Sequence, residues 1–146
     1  MKSDRPLTAA FLGILSTLPY EIFTRIFLYL GYGIYSLYQL DSTVVTINKT
    51  NVPIGFVVSC SVSVLTSVIF YFLINAINSE HLVIKSILFS VLIWTTTELI
   101  FTAVIEGKFI PIRPIDDYYS HMLGAVVYGI TQGLLFKQLL FSKHTY

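Results

Sequence analysis

Four apolar stretches, each long enough to cross a lipid bilayer, govern what this chain can become. A hydrocarbon core of about 30 Å takes roughly 20 helical residues, and residues 7–29, 53–78, 82–105 and 118–141 all reach that length. Of the 146 residues, 55% are apolar and only 12% charged, about half the charged fraction of an ordinary soluble domain. A 16.5 kDa chain with a mean hydropathy of +0.76 has too much surface for its volume to hide such a majority in water. The expected fold is therefore all-α: a single transmembrane domain over residues 1–146, built as a four-helix transmembrane bundle.

The breaks carry suitable punctuation. Asp41 to Asn51 (DSTVVTINKTN) reads as a polar connection, followed by Pro53 in a first helical turn. Asn78, Ser79 and Glu80 make a short turn. GKFIPIRPIDD contains Pro111 and Pro114, which forbid a continuous helix, and Asp116 or Asp117 is placed to cap the fourth helix. The first apolar block overruns its span as far as Leu40. Either one tilted helix continues through it, or the helix ends near Gly31 to Gly33 and an interfacial segment follows.

Lys2 and Arg5 precede the first apolar block, but no small-residue cleavage site follows, so the block reads as a permanent helix. Lysines and arginines flanking the spans set orientation. With both termini cytosolic, Lys2, Arg5, Lys85, Lys137 and Lys143 lie inside, and Lys49, Lys108 and Arg113 outside.

Residues four apart share a helix face, and in each span that spacing gathers small or polar side chains. The rows are Gly13, Thr17, Glu21, Arg25; Gly55, Ser59, Ser63, Ser67; Ser86, Ser90, Trp94, Glu98, Thr102; and His121, Ala125, Gly129, Gly133. Lipid gives helices no hydrophobic reason to associate, so small residues and interhelical hydrogen bonds hold them together. Ser59, Ser63, Gly129 and Gly133 are accordingly helix-packing positions. The charged members differ, because a charge near the bilayer centre costs on the order of 3 kcal/mol and turns toward the bundle interior. At about 1.5 Å per residue, Glu21, Arg25 and Glu98 reach similar depth in the outer half, and His121 enters from the outer end of the fourth helix. The expected site is an intramembrane polar cluster of Glu21, Arg25, Glu98 and His121, with Glu98 in reach of Arg25 or His121. Such a cluster either joins helices or carries a proton.

Other signals are weaker. Arg113, between two prolines, reads as part of a stiff solvated loop. Tyr29, Tyr32, Tyr35 and Tyr38 suit an interfacial aromatic belt. Asn48-Lys49-Thr50 has the form of a glycosylation acceptor. Cys60 is the only cysteine, which excludes an internal disulfide and a cysteine metal cluster. No paired-histidine metal motif, nucleophile elbow, phosphate loop, haem or flavin fingerprint is found. No cofactor or metal is expected, and the charge of +1 without a basic run gives no reason to expect nucleic acid.

The stretch IEGKFIPIRPIDDYYSHMLGAVVYGITQG, from Ile105 to Gly133, resembles the tail of small uncharacterised four-helix membrane proteins of Gram-positive bacteria. That resemblance implies a location in the plasma membrane and carries no activity. Two function classes follow from the sequence. The first is a structural or partner-binding membrane protein, associated with the lipid bilayer and with a homo-oligomer or another membrane protein. The second is a subunit of a proton-coupled transporter or channel, using Glu98 and His121.

Overall fold

The computed structural model describes residues 4–142. Met1, Lys2, Lys143 and Tyr146, expected in the cytosol, lie outside them. Five helices follow in order: α1 (Arg5–Tyr29), α2 (Leu37–Thr46), α3 (Val52–Ile77), α4 (Leu82–Val104) and α5 (Ile115–Leu139). Among the described residues there is no strand, only an isolated bridge between Glu106 and Ile110. Three helices, α1, α3 and α4, are long and apolar enough to cross a membrane, the make-up of a multi-pass membrane protein. α5 is of equal length but carries more polar residues.

The expected count of four helices needs correcting. α1 ends at Tyr29, where Gly31 and Gly33 take positive φ values of 86° and 85°, a conformation natural to glycine. The chain then folds back and starts α2, whose amino end has a capping box between Ser36 and Gln39. Half of the stretch expected to be a polar connection is thus helical. Local capping chemistry decided this, and a reading guided by hydropathy overlooked it. α3 starts where Asn51 accepts a hydrogen bond from Ile54 N at 3.1 Å, and Pro53 occupies its first turn.

α1 lies between α3 and α5, α4 packs along α5, and α2 rests on α3. One end of the bundle is apolar: Ala9 and Leu12 of α1 meet Phe70 and Ile74 of α3, with Phe136 of α5 closing the cluster. Elsewhere buried polar groups share the interior with two smaller apolar clusters, around Leu37 and Ala125 and around Leu40 and Phe101. Ser16, Ser67, Ser86, Asp117, His121 and Gln132 are all buried, whereas Leu88, Leu92 and Leu99 of α4 are 66%, 62% and 69% exposed. Interior polarity with an apolar exterior is the arrangement lipid favours, because polar groups must be satisfied within the protein.

The glycine row of α5 is a close-packing surface. A Cβ at Gly129 would lie 2.6 Å from Ile87 Cα, and one at Gly133 2.7 Å from Val83 Cα, so the α4 backbone itself occupies the space a side chain would need. A polar ladder reinforces this contact. Gln132 donates to Ser67 Oγ of α3 at 2.6 Å and accepts from Ser86 Oγ of α4 at 3.1 Å, while Ser90 Oγ donates to the Ala125 carbonyl at 2.5 Å. Gly133→Leu should force α4 from α5 and cost about 1–3 kcal/mol or more. In detergent it should lower the thermal midpoint markedly, while Leu134→Ala, on the outward face, should change it little; equal midpoints would place Gly133 against lipid.

Candidate functional site

Two irregular segments, residues 30–36 and 105–114, fold in against the helices, and buried side chains serve their backbones. Every orphan N–H at the start of α2 finds a partner. Ser36 N donates to Gln39 Oε1 at 2.9 Å, Leu37 N to Thr24 Oγ1 at 3.0 Å, Tyr38 N to Glu21 Oε2 at 2.9 Å and Gln39 N to Ser36 Oγ at 3.4 Å. Glu21 also accepts from Ser36 Oγ at 3.0 Å, which places a carboxylate at the positive end of the α2 dipole. From the opposite side, Asp117 Oδ1 accepts from Ile34 N at 2.8 Å and Tyr35 N at 3.1 Å. His121 Nε2 donates to the Tyr35 carbonyl at 3.1 Å, and Tyr20 donates its hydroxyl to the His121 carbonyl at 2.9 Å. Gly33 fits here because a Cβ would lie 2.8 Å from the Asp117 carboxylate.

Arg113 organises the second segment. Its side chain is fully buried; Nη2 pairs with Glu98 and, at 3.1 Å, with Glu106, while Nη1 reaches Asp117 at 3.3 Å. Its backbone N donates to Glu106 Oε1 at 2.6 Å. The guanidinium also lies against the rings of Phe101 and Tyr118, 5.0 Å and 4.5 Å from their centroids, a cation–π arrangement. Tyr118 Oη completes the setting by donating to Glu106 at 2.6 Å. Asp117 joins the two segments, since its other oxygen lies 3.8 Å from His121 Nε2.

The four residues expected to form one cluster are therefore divided. Glu21 and His121 both serve the 30–38 segment, from opposite sides. Arg25 pairs with Glu21, but its side chain is 50% exposed. Glu98 pairs with Arg113 and not with Arg25 or His121, so the expected partner was wrong. Arg113 is not a solvated loop residue, and Asp117 does not cap α5: the N-cap is Pro114, without a side-chain hydrogen bond. Arg113, Glu106 and Asp117 were missed as site residues, although the row 121, 125, 129, 133 extends backward by fours to 117 and 113. Proline at 111 and 114 concealed that extension. Of the packing serines, Ser59 donates to the Asp41 carboxylate on α2, and Ser63 bonds to its own helix at the Cys60 carbonyl, 3.0 Å away.

A cleft opens where α3 and α4 diverge. It has a volume of about 140 Å³, with Thr17, Tyr20, His121 and Tyr128 along its floor. Asp41 of α2 and Glu98 of α4 contribute carboxylates to its lining, and Val62, Phe89 and Ile93 contribute apolar surface. Burial raises the Asp41 carboxyl to about 7, with nearby Glu21 adding to the rise and the Ser59 hydrogen bond opposing it. Among the described residues, no group of three or more His, Cys, Asp or Glu side chains is arranged to hold a metal ion. Comparison with protein-family models, curated proteins and solved structures finds no match to this chain.

Arg113 and Arg25 should respond very differently to substitution. Arg113→Ala leaves Glu98, Glu106 and Asp117 without their shared counter-charge and should cost about 3–5 kcal/mol. Arg25→Ala removes a half-exposed i,i+4 partner and should cost roughly 1 kcal/mol or less. Thermal or denaturant unfolding in detergent measures both, and comparable losses would refute the assignment of Arg113 as the hub.

Proposed function

We propose that this chain is a four-span plasma-membrane protein with both termini cytosolic, and that it works by binding a molecule or partner in the cleft between α3 and α4 rather than by catalysis. The cleft is the observation that carries the reading: it faces sideways between two long apolar helices and has polar groups on its floor. α5 is assigned as the fourth span because its polar side chains are turned inward. Asp117, Ser120, His121 and Gln132 are buried, while Leu123, Ile130 and Leu134 form its exposed middle. The bias of lysine and arginine toward one side supports the orientation. The immediate partner is the lipid bilayer. The aromatic and apolar cleft wall also suits a second membrane component, including another copy of the chain.

A proton-coupled transporter is the second reading. One observation favours it: Asp41 lines the cleft, where burial raises its carboxyl to about 7. Glu98 and His121 have separate partners, so in this reading Asp41 replaces them as the proton-exchanging group.

Orientation is open to cysteine labelling in intact cells, in a Cys60→Ser background. Asn48→Cys and Lys108→Cys should react with an impermeant maleimide from outside, and Glu80→Cys only after lysis. Labelling of 48 and 108 from opposite sides would remove a span; labelling of Glu80→Cys alone would invert the chain.

Binding is tested by a photo-reactive residue introduced at Ile93, on the cleft wall, or at Leu99, outside it. Ile93 should yield a discrete adduct in native membranes and Leu99 only diffuse lipid labelling. The same diffuse pattern at both positions would reject binding in the cleft.

A further inference from the structure

The cleft has a charge character that narrows what it can hold. Asp41 and Glu98 line it, and among the described residues no lysine or arginine does. The two arginines paired with nearby carboxylates are already engaged, half-exposed Arg25 with Glu21 and buried Arg113 with Glu98, Glu106 and Asp117. Across both segments and the cleft, five carboxylates (Glu21, Asp41, Glu98, Glu106, Asp117) face two guanidinium groups. Asp41 has a serine hydroxyl as its hydrogen-bond partner and, among the described residues, no ion-paired cation. Aromatic rings share the lining with Asp41 and Glu98: Tyr20, Phe89, Trp94 and Tyr128 are all part of it.

We propose that the α3–α4 cleft binds a lipophilic organic cation, a hydrophobic amine or quaternary ammonium that enters from the bilayer. This rests on the reading of the cleft as a binding site. Aromatic faces attract such cations through the ring quadrupole, and a carboxylate in surroundings of low polarity adds an attraction much stronger than the same charge exerts in water. An anion would meet two carboxylates and no free cation. A fully neutral apolar molecule would gain from the walls alone and nothing from the Asp41 carboxylate. The volume is near that of an engineered apolar cavity known to accept benzene. It accommodates a compact cationic head, while the sideways opening leaves an alkyl tail among the lipid chains.

Decyltrimethylammonium is a suitable probe, with decanol and decyl sulfate as its neutral and anionic counterparts. Each is titrated against the full chain in phosphatidylcholine nanodiscs at pH 8.5, above the Asp41 titration, with empty nanodiscs as the baseline. The ammonium probe should bind saturably, at about one per chain and at least tenfold more tightly than either counterpart. Asp41→Asn should weaken it at least tenfold, and Val62→Trp, which fills the cleft, should abolish it. Saturable binding of decanol or decyl sulfate at equal strength, lost in Val62→Trp, would overturn the cation assignment and keep the cleft as a site. Absence of saturable binding by all three probes would overturn both. Should Asp41→Asn fail to fold, the comparison of the three probes on the unaltered chain decides the matter alone.

Discussion

Backbone that leaves a helix and is buried against other helices must find its hydrogen bonds within the protein, and the structure is organised around meeting that demand. Residues 30–36 turn inward from the end of α1, and the side chains of Glu21, Thr24, Asp117 and His121 take up their N–H and carbonyl groups. Residues 105–114 do the same around Arg113 and Glu106. The charged residues are thus attached first to loop backbone, and only then to one another. A carboxylate suits this work because it accepts several hydrogen bonds at once: Glu21 takes three, from Ser36, Tyr38 and Arg25. Asp117 couples the segments, so the geometry of one depends on the other.

The same demand shapes the helix faces. The polar residues of α5 are gathered on one side: the stripe from Asp117 through His121 to Gln132 is buried where α5 packs on α1 and α4, and Gln132 reaches Ser67 of α3. Small residues allow that approach. Gly129 and Gly133 bring α4 against α5, and Gly124 makes room for the Tyr20 ring. Close packing of α4 on α5 has a geometric consequence on the other side, where α4 hardly touches α3. The cleft forms in that gap. α2 closes one end of it and places Asp41 within the lining.

Some of this was legible along the chain. The small-residue rows pointed to packing faces, and Gly129 and Gly133 do lie against α4. Glu21, Glu98 and His121 were recognisable because a charge within an apolar run has to face protein. Their partners were not. Depth along a helix says how far a group lies from the membrane surface and nothing about which neighbour is turned toward it. Arg113 was misjudged for a related reason: proline on both sides correctly excluded helix, but a non-helical segment is not necessarily solvated. Ser36-Leu-Tyr-Gln39 held the signal for α2, and the strength of the surrounding hydropathy masked it.

The sequence by itself determined the solvent and the element type. Long apolar runs require lipid, and lipid requires helices whose polar faces turn inward. Only the tertiary structure decided that α1 sits between α3 and α5, that α4 departs from α3, and that Arg113 folds back beneath Glu98. The physical reason is the range of the interactions. Hydrophobicity and capping act within a few residues and can be read in order along the chain, whereas hydrogen bonds such as that from Ile34 N to Asp117, 83 residues apart, exist only once the helices have chosen their neighbours.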